Sequence, residues 1–154
     1  MISYLTDMDG VLHREGEIIP GAKEFISALR SENIDFMVLT NNSIQTPRDL
    51  SARLMRMGLD IEPERIWTSA TATAKFLSQQ AGEASAYVIG EAGLTTALHE
   101  IGWILTDADP DFVVLGETRT YSFEALTTAS NLIRDGSRFI ATNPDLTGPG
   151  PAGV

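Results

Sequence analysis

The sequence predicts an α/β fold with largely parallel sheets, because short apolar runs alternate with amphipathic helical patterns along the chain. The apolar runs have the length of buried strands, and the clearest occupy residues 36–39, 86–89, 112–115 and 139–141. The stretches between them repeat apolar residues at intervals of three and four positions, as helices packed on a sheet do. A chain of 154 residues is long enough for one domain, or for one domain and part of a second.

Two helices are predicted before residue 60, after an apolar strand that opens the chain. The first begins at Pro20, because proline is favoured at the first helical position. The second has Thr46 as its N-cap and stops at Gly58. Their apolar stripes are expected to face the core and comprise Ala22, Phe25, Ile26, Leu29, Leu50, Leu54 and Met57. Residues 13–19, which precede the first helix, are expected to form a loop.

The polar, small-residue stretch at 79–84 is the predicted domain boundary, so residues 1–80 and 81–154 are expected to form two domains. Before it, a short strand at 66–68 leads into a helix that Ser69 caps, with Phe76 and Leu77 facing inward.

After the boundary, strands alternate with two further helices. Gly102 is expected to end the first of them, and the second is expected to run from Ser122 to Gly136, with Leu126, Ala129 and Ile133 on its apolar side. Asp107, Asp109 and Asp111 lack the glycine and distal glutamate of a calcium loop, so we interpret them as a solvated turn.

Composition excludes several classes of function. A formal net charge of −10 argues against general nucleic-acid binding. The absence of cysteine rules out disulfides, thiolate metal sites and a cysteine nucleophile, and it fits a cytoplasmic protein. No apolar run has the length of a membrane span, and no positively charged segment precedes the first apolar run, so neither a membrane partner nor a signal peptide is expected.

Asp7 and Asp9 follow the opening strand with one residue between them, and Gly10 comes next. Two carboxylates this close repel each other unless a cation lies between them, and a hard ion with oxygen ligands such as Mg²⁺ meets that need. If the strand continues through both, they share one side of it. Gly10 would let the backbone turn and bring an N–H towards a bound anion. The alternative is a strand that ends in a polar Asp-Gly turn.

A second polar cluster, residues 40–43 (TNNS), follows the strand at 36–39. Ligands of open parallel sheets bind at the carboxyl ends of strands, and Thr40 and Asn41 are suited to donate to phosphate oxygens. The alternative is a local turn. Of the two histidines, His13 is a candidate ligand or base, although a solvated side chain is the commoner case; His99 is interpreted as structural or solvated.

Residues 7–12 (DMDGVL) together with 39–43 (LTNNS) resemble the first two motifs of the haloacid dehalogenase (HAD) superfamily of phosphatases. Residues 87–91, 111–119 and 141–145 resemble the large α/β cap of its NagD-like branch (class IIA), which includes nucleotide monophosphatases and 4-nitrophenyl phosphatases. The resemblance implies the N-terminal half of a Rossmann-like parallel-sheet core in residues 1–80, followed by an α/β cap domain that is incomplete at its C-terminus.

The same resemblance implies a Mg²⁺-dependent phosphomonoester hydrolase. Asp7 would be the nucleophile that forms an aspartyl-phosphate, and Asp9 would be the general acid and base. Mg²⁺ would be held by the Asp7 carboxylate and the Asp9 backbone carbonyl. The residues that would contact the phosphate or the leaving group are Gly10, Thr40, Asn41, Asn42, Asn143 and Asp145. Substrates implied are small phosphorylated metabolites, among them nucleoside monophosphates and sugar phosphates, and p-nitrophenyl phosphate.

The chain departs from the family pattern after the cap. The family has a lysine and an acidic metal-binding cluster there, whereas the two lysines here, Lys23 and Lys75, precede the cap, and Asp145 is the sole acid after Asp135. The hypothesis is therefore an N-terminal fragment of a phosphatase, or an incompletely represented one, whose activity belongs to the complete protein. The sheet of such a fragment would have an exposed edge, which is compatible with a homo-oligomer.

Two other classes stay open. One is a non-catalytic phosphate- or metal-binding fragment that needs the missing half for activity. The other is a phosphoryl-accepting receiver domain, but in that class the acidic pair is adjacent and a later strand ends in a separate aspartate. The strand at 36–39 ends instead in Thr40 and Asn41.

Overall fold

The computed structural model describes residues 2–145, which form two compact units. The first unit comprises residues 2–40 and Pro47–Trp67, together with Asp145. The second unit comprises Asn41–Thr46 and Thr68–Pro144. The units therefore divide the chain at other places than the boundary predicted between residues 80 and 81.

Secondary structure in the first unit follows the predicted alternation of strand and helix. Its elements are β1 (Tyr4–Asp7), β2 (His13–Arg14), β3 (Glu17–Ile18), α1 (Ala22–Ser31), β4 (Phe36–Thr40), α2 (Pro47–Met57), a 3₁₀ helix (Pro63–Arg65) and β5 (Ile66–Thr68). Strands β1, β4 and β5 form a sheet in that order, and β1 runs parallel to β4 with Asp7 opposite Leu39. The carboxyl ends of β1 and β4 consequently meet at one edge of the sheet.

The core of the first unit is formed by the apolar stripes of α1 and α2 against β4. Ile26, Leu29, Leu50 and Leu54 are buried there, as predicted. Phe25 was expected on the same face but is 37% exposed, because it lies beside the stripe rather than in it.

Strand β1 is less buried than its apolar sequence predicts. Leu5 is 72% exposed and Tyr4 is 41% exposed. Both lie on a strand at the end of the sheet order, where the described residues provide a neighbour on one side. The opening strand is therefore largely exposed within residues 2–145, although its apolar run is of the kind that a buried strand needs.

The segment expected to be a loop forms a short hairpin. Strands β2 and β3 are antiparallel, with His13 opposite Ile18 and Arg14 opposite Glu17. The two residues between them, Glu15 and Gly16, have φ values of 51° and 87°. Positive φ at both positions is the requirement of the tight turns that suit hairpins.

The second unit is a parallel sheet between layers of helices. Its elements are α3 (Ser69–Gln80), β6 (Ser85–Ile89), α4 (Ala92–Glu100), β7 (Ile104–Leu105), β8 (Phe112–Leu115), α5 (Phe123–Asp135) and β9 (Arg138–Ala141). The strand order is β7-β6-β8-β9, and each neighbouring pair is parallel. This architecture confirms the predicted α/β class.

Alternate side chains of β8 enter different clusters, which explains why its sequence is apolar throughout. Phe112 and Val114 pack in a cluster with residues of α3 and α4. Val113 packs in a second cluster with Ala129 of α5. Because α3 contributes Leu77 to the first cluster, this helix belongs to the second unit rather than to the predicted first domain.

Details of the helices in the second unit differ from expectation. Thr68, not Ser69, caps α3, since its hydroxyl oxygen accepts a hydrogen bond from the Thr71 N–H at 3.0 Å. Ser122 caps α5 as predicted. Several side chains expected to face inward are substantially exposed, namely Phe76 (46%), Leu126 (43%) and Ile133 (37%). Across residues 2–145, every helix is too short or too polar to cross a membrane.

Candidate active site

The candidate site begins where β1 and β4 end side by side. Asp7 is the last residue of β1, and Thr40 is the last residue of β4. The backbone N–H of Met8 continues the pairing by donating to the Leu39 carbonyl at 3.0 Å. These polar residues therefore lie at the edge where parallel sheets bind ligands, as the sequence predicted.

The strand does not continue through the second acidic residue. Asp7 Oδ1 accepts a hydrogen bond from the Met8 N–H at 2.8 Å, and β1 stops there. Met8 is 1% exposed, whereas Asp7 and Asp9 on either side of it are exposed. Burial of the intervening methionine thus leaves both carboxylates accessible to solvent.

Both oxygens of the Asp9 carboxylate are faced by side chains of the first unit. The Thr40 hydroxyl donates to Oδ2 at 3.1 Å, and His13 Nε2 lies 3.6 Å from Oδ1. The sequence predicted that Thr40 would donate to a phosphate oxygen; in the structure its hydroxyl donates to Asp9. The carboxylate itself is 51% exposed, so its oxygens remain reachable from solvent.

His13 is buried rather than solvated, which corrects the commoner interpretation of the sequence. The residue is 2% exposed, and within residues 2–145 neither ring nitrogen has a hydrogen-bond partner. Burial lowers the pKa of His13 below its ordinary value of 6.5; the Asp9 carboxylate opposes this shift and the Arg53 guanidinium adds to it. Burial therefore favours the neutral imidazole over the charged one.

Gly10 turns the chain between the acidic pair and the hairpin. Its φ of 80° lies in the left-handed region, which favours glycine. Its N–H donates to the His13 carbonyl at 2.8 Å and so closes the turn. A phosphate contact from this N–H, as the sequence suggested, would have to replace that hydrogen bond.

The loop Asn41–Thr46 is fixed within the second unit by contacts that sequence reasoning missed. The Ser69 hydroxyl donates to the Asn41 carbonyl at 2.7 Å, and the Gly93 N–H donates to the Ile44 carbonyl at 2.8 Å. Ser43, which is 0% exposed, accepts a hydrogen bond from the Glu117 N–H at 2.9 Å through its hydroxyl oxygen.

Side chains of the same loop have different surroundings. Asn42 Oδ1 accepts hydrogen bonds from the N–H groups of Ile44 and Gln45, at 3.0 and 2.9 Å. This is the local turn that the sequence offered as an alternative. Asn41 is exposed and immediately follows Thr40.

Asn143 and Asp145, the other predicted contacts of the leaving group, follow β9. The Thr142 N–H donates to the Leu115 carbonyl at 2.9 Å and extends the pairing of β8 and β9 towards them. Asn143 is half-buried in the second unit, and Asp145 is exposed. Their contact with a substrate stays a prediction.

The acidic pair fits the donor chemistry of Mg²⁺ in part. Asp7 and Asp9 supply oxygen donors, which Mg²⁺ prefers, and this ion commonly keeps several waters and binds one or two carboxylates together with substrate phosphates. Within residues 2–145 no group of three or more His, Cys, Asp or Glu residues could hold a metal ion. The remaining coordination positions would therefore belong to water and phosphate, or to groups outside the described residues.

Comparison with known proteins gives a consistent result. A family model described as haloacid dehalogenase-like hydrolase matches residues 4–104. The chain is 73% identical over 153 residues to a dihydroxyacetone phosphatase of Corynebacterium glutamicum. The aligned residues make up 99% of this chain and 56% of that relative. The chain is also 42% identical over 148 residues to the ribonucleotide monophosphatase NagD of Escherichia coli. The aligned residues make up 96% of this chain and 59% of NagD.

A solved structure of NagD from Escherichia coli superposes with a TM-score of 0.89 at 41% identity, over 96% of this chain and 59% of that one. The chain thus spans somewhat more than half the length of the relatives it matches. The family match covers about two thirds of the chain and includes Asp7, Asp9 and Thr40. The chain belongs to the haloacid dehalogenase-like hydrolase family.

Proposed function

We propose that the whole protein hydrolyses small phosphomonoesters, with Asp7 as nucleophile and Asp9 as general acid and base. The observation that carries this proposal is the arrangement at the ends of β1 and β4. There Asp7 is exposed at the strand end, and the Asp9 carboxylate is bound by the Thr40 hydroxyl. Both carboxylates are exposed, and that of Asp9 is in addition oriented by a side-chain hydroxyl, which suits a group that must transfer a proton in a fixed direction.

The reaction would proceed in two displacements. An oxygen of the Asp7 carboxylate attacks phosphorus, the bond from phosphorus to the ester oxygen breaks, and Asp9 gives its proton to the departing alkoxide. The Asp9 carboxylate then takes a proton from water, whose oxygen attacks the phosphorus of the aspartyl-phosphate. Inorganic phosphate leaves and the Asp7 carboxylate is restored, so the sum is hydrolysis of one ester bond.

Mg²⁺ would be held by the Asp7 carboxylate and the Asp9 backbone carbonyl. When bound, it supplies positive charge that reduces repulsion between a carboxylate nucleophile and an anionic phosphate. Such a supply is needed because the chain is strongly acidic, with 21 acidic and 11 basic residues.

The names of the relatives support a substrate class. One is named for dihydroxyacetone and another for ribonucleotide monophosphates. We propose that the protein acts on triose or other sugar phosphates, and that nucleoside monophosphates and p-nitrophenyl phosphate are further substrates. We also propose that it works in the cytoplasm, where such metabolites occur. Asn41, Asn143 and Asp145 are the proposed contacts of the phosphate and leaving group, and we assign Asn42 to shaping the loop.

The test is phosphate release by the protein expressed from its complete reading frame. Dihydroxyacetone phosphate, a ribonucleoside 5′-monophosphate and p-nitrophenyl phosphate are compared with Mg²⁺ and with excess chelator. We expect chelation to abolish turnover and Asp7→Asn to lower kcat by about 10³-fold or more.

Either of two results would contradict the proposal. An Asp7→Asn variant with undiminished turnover would remove the assigned nucleophile. Binding of Mg²⁺ without turnover of any phosphomonoester would favour the non-catalytic alternative. The same assays on residues 1–154 alone would show whether this part suffices.

A further inference from the structure

We infer that His13 is a positioning residue that fixes the direction of the Asp9 carboxylate. The inference rests on the proposed function, because it assigns His13 a role in the proton transfer that Asp9 would perform. His13 itself is not placed in contact with the substrate. Its side chain is buried, and its Nε2 lies 3.6 Å from Oδ1 of Asp9, the carboxylate that would contact the substrate.

The backbone holds His13 in a defined place. Its N–H donates to the Met8 carbonyl at 3.3 Å, and its carbonyl accepts from the Gly10 N–H at 2.8 Å. On the other strand of the hairpin, Ile18 lies opposite. Met8 and Gly10, the two neighbours of Asp9 in the chain, are therefore both hydrogen-bonded to the backbone of His13. These bonds hold the backbone of His13 close to that of Asp9.

The side-chain geometry points to the carboxylate. His13 Nε2 lies 3.6 Å from Asp9 Oδ1, and the Thr40 hydroxyl lies 3.1 Å from Oδ2. Rotation of a carboxylate about its terminal bond has broad energy wells, so a single partner restrains it weakly. Partners on both oxygens restrain it much more.

The imidazole also lacks any other described partner. A buried ring nitrogen without a hydrogen bond is costly, and its presence calls for a physical reason. The separation of 3.6 Å exceeds that of a hydrogen bond, but hydrogen bonds among catalytic groups are often long without substrate and shorten when it binds. We therefore assign the Nε2–H of His13 as a donor to Asp9 Oδ1 in the substrate complex.

This role has a kinetic signature that a purely structural role lacks. Cleavage of dihydroxyacetone phosphate releases an alkoxide, which needs the proton of Asp9, whereas the p-nitrophenolate released from p-nitrophenyl phosphate leaves readily without one. The value of kcat/KM reports the steps up to cleavage of the ester bond. A misdirected Asp9 should therefore lower kcat/KM for the alkyl ester much more than for the aryl ester.

The experiment compares His13→Leu, His13→Asn and His13→Gln in the protein expressed from its complete reading frame. We expect His13→Leu to lower kcat/KM for dihydroxyacetone phosphate by about tenfold or more, part of the usual contribution of general acid catalysis, and for p-nitrophenyl phosphate by less than about threefold. KM for dihydroxyacetone phosphate should change little. His13→Gln, whose amide nitrogen can occupy the place of Nε2, should recover most of the loss, whereas the shorter His13→Asn should not.

Ile18→Ala serves as the control for the hairpin, since it removes a partly buried side chain opposite His13 without removing a donor. Any loss in this variant should be equal for the two esters. If His13→Leu does not fold, as judged by its thermal unfolding, the comparison of His13→Gln with His13→Asn decides the question.

Equal losses on both esters, or no loss, would overturn the positioning role while leaving the proposed phosphatase intact, provided that Asp7→Asn remains inactive. Activity that survives Asp7→Asn would instead overturn the proposed function itself. If the wild-type protein hydrolyses neither ester, both proposals fail. The three outcomes are thus distinguishable in one set of assays.

Discussion

Ser43 Oγ accepts a hydrogen bond from the backbone N–H of Glu117 at 2.9 Å, although 74 positions separate the two residues in the sequence. The bond joins the loop that follows β4 to the segment that follows β8, inside the second unit. The same loop carries Asn41, a proposed contact of the phosphate, directly after the last residue of β4. The conformation of the loop therefore affects the position of this side chain. The stability of this loop is therefore relevant to function.

Replacing Ser43 by alanine should destabilise the protein by about 1 kcal/mol, because the partly buried Glu117 N–H would lose its acceptor. Chemical denaturation followed by circular dichroism measures this change. Ser130→Ala is the matched control, since that hydroxyl is exposed and bonds within α5 to the Leu126 carbonyl. A Ser43→Ala variant as stable as Ser130→Ala would show that the bond contributes nothing.

Gly93→Ala should be more damaging, because the helix α4 begins against the backbone of the same loop. A Cβ at position 93 would lie 2.6 Å from the Gln45 carbonyl oxygen and 2.7 Å from that of Ser43. Backbone atoms cannot move aside as the end of a flexible side chain can, so we expect a loss of about 3 kcal/mol.

The control for this substitution is Gly82→Ala. A Cβ there would meet nothing within 4 Å, and its φ is not in the left-handed region. We expect its unfolding free energy to remain within about 0.5 kcal/mol of the wild type. If Gly93→Ala and Gly82→Ala had equal melting temperatures, the close approach of α4 and the loop would be disproved.

Thr40→Val tests the hydroxyl that donates to Asp9. Valine keeps the shape of threonine but removes the donor, so the carboxylate loses a hydrogen bond of about 1.5 kcal/mol. If that bond orients Asp9 in the transition state, kcat should fall by about tenfold. Thr40→Ser keeps the hydroxyl and should stay within about threefold of the wild type. A Thr40→Ser variant as impaired as Thr40→Val would indicate that the methyl group, not the hydroxyl, matters.

Parts of the site were predictable because they follow from local sequence. Asp7 and Thr40 each end an apolar run, and parallel strands bring such ends to one edge of a sheet. The pairing of Asp7 with Leu39 realises that expectation. The order of strands and helices was likewise visible in the spacing of apolar residues.

Other parts depend on contacts that no local pattern encodes. His13 is buried by a hairpin whose strands have two residues each, too short for the alternation that identifies a strand. A partial signal did exist in Gly16, since glycine supplies the positive φ that a tight hairpin turn needs, whereas Glu15 is not one of the residues typical of the position before it. By contrast, the bond between Ser43 and Glu117 joins distant segments, and a serine in a polar loop gives no indication of burial.

Asp111 provides the last prediction, because the sequence suggested a solvated turn and the structure gives it defined partners. Its Oδ2 accepts hydrogen bonds from the Ser85 hydroxyl and the Ser85 N–H, both at 2.8 Å, although the residue is exposed. The hydroxyl bond, followed by the backbone bond, lowers the pKa of Asp111 below its ordinary value of 3.8.

A carboxyl group with a lowered pKa in the folded state stabilises the protein above its unfolded pKa and loses that contribution as the pH falls through the folded value. Asp111→Asn should therefore be less stable than the wild type at pH 7, and the difference should shrink as the pH falls below 3.8. Urea denaturation between pH 7 and the lowest pH at which the protein stays folded measures this difference. Asp107→Asn removes a charge from the same exposed turn and is the control. If the difference in unfolding free energy between Asp111→Asn and the wild type stayed constant through this range, the charge of the Asp111 carboxylate would contribute nothing to stability.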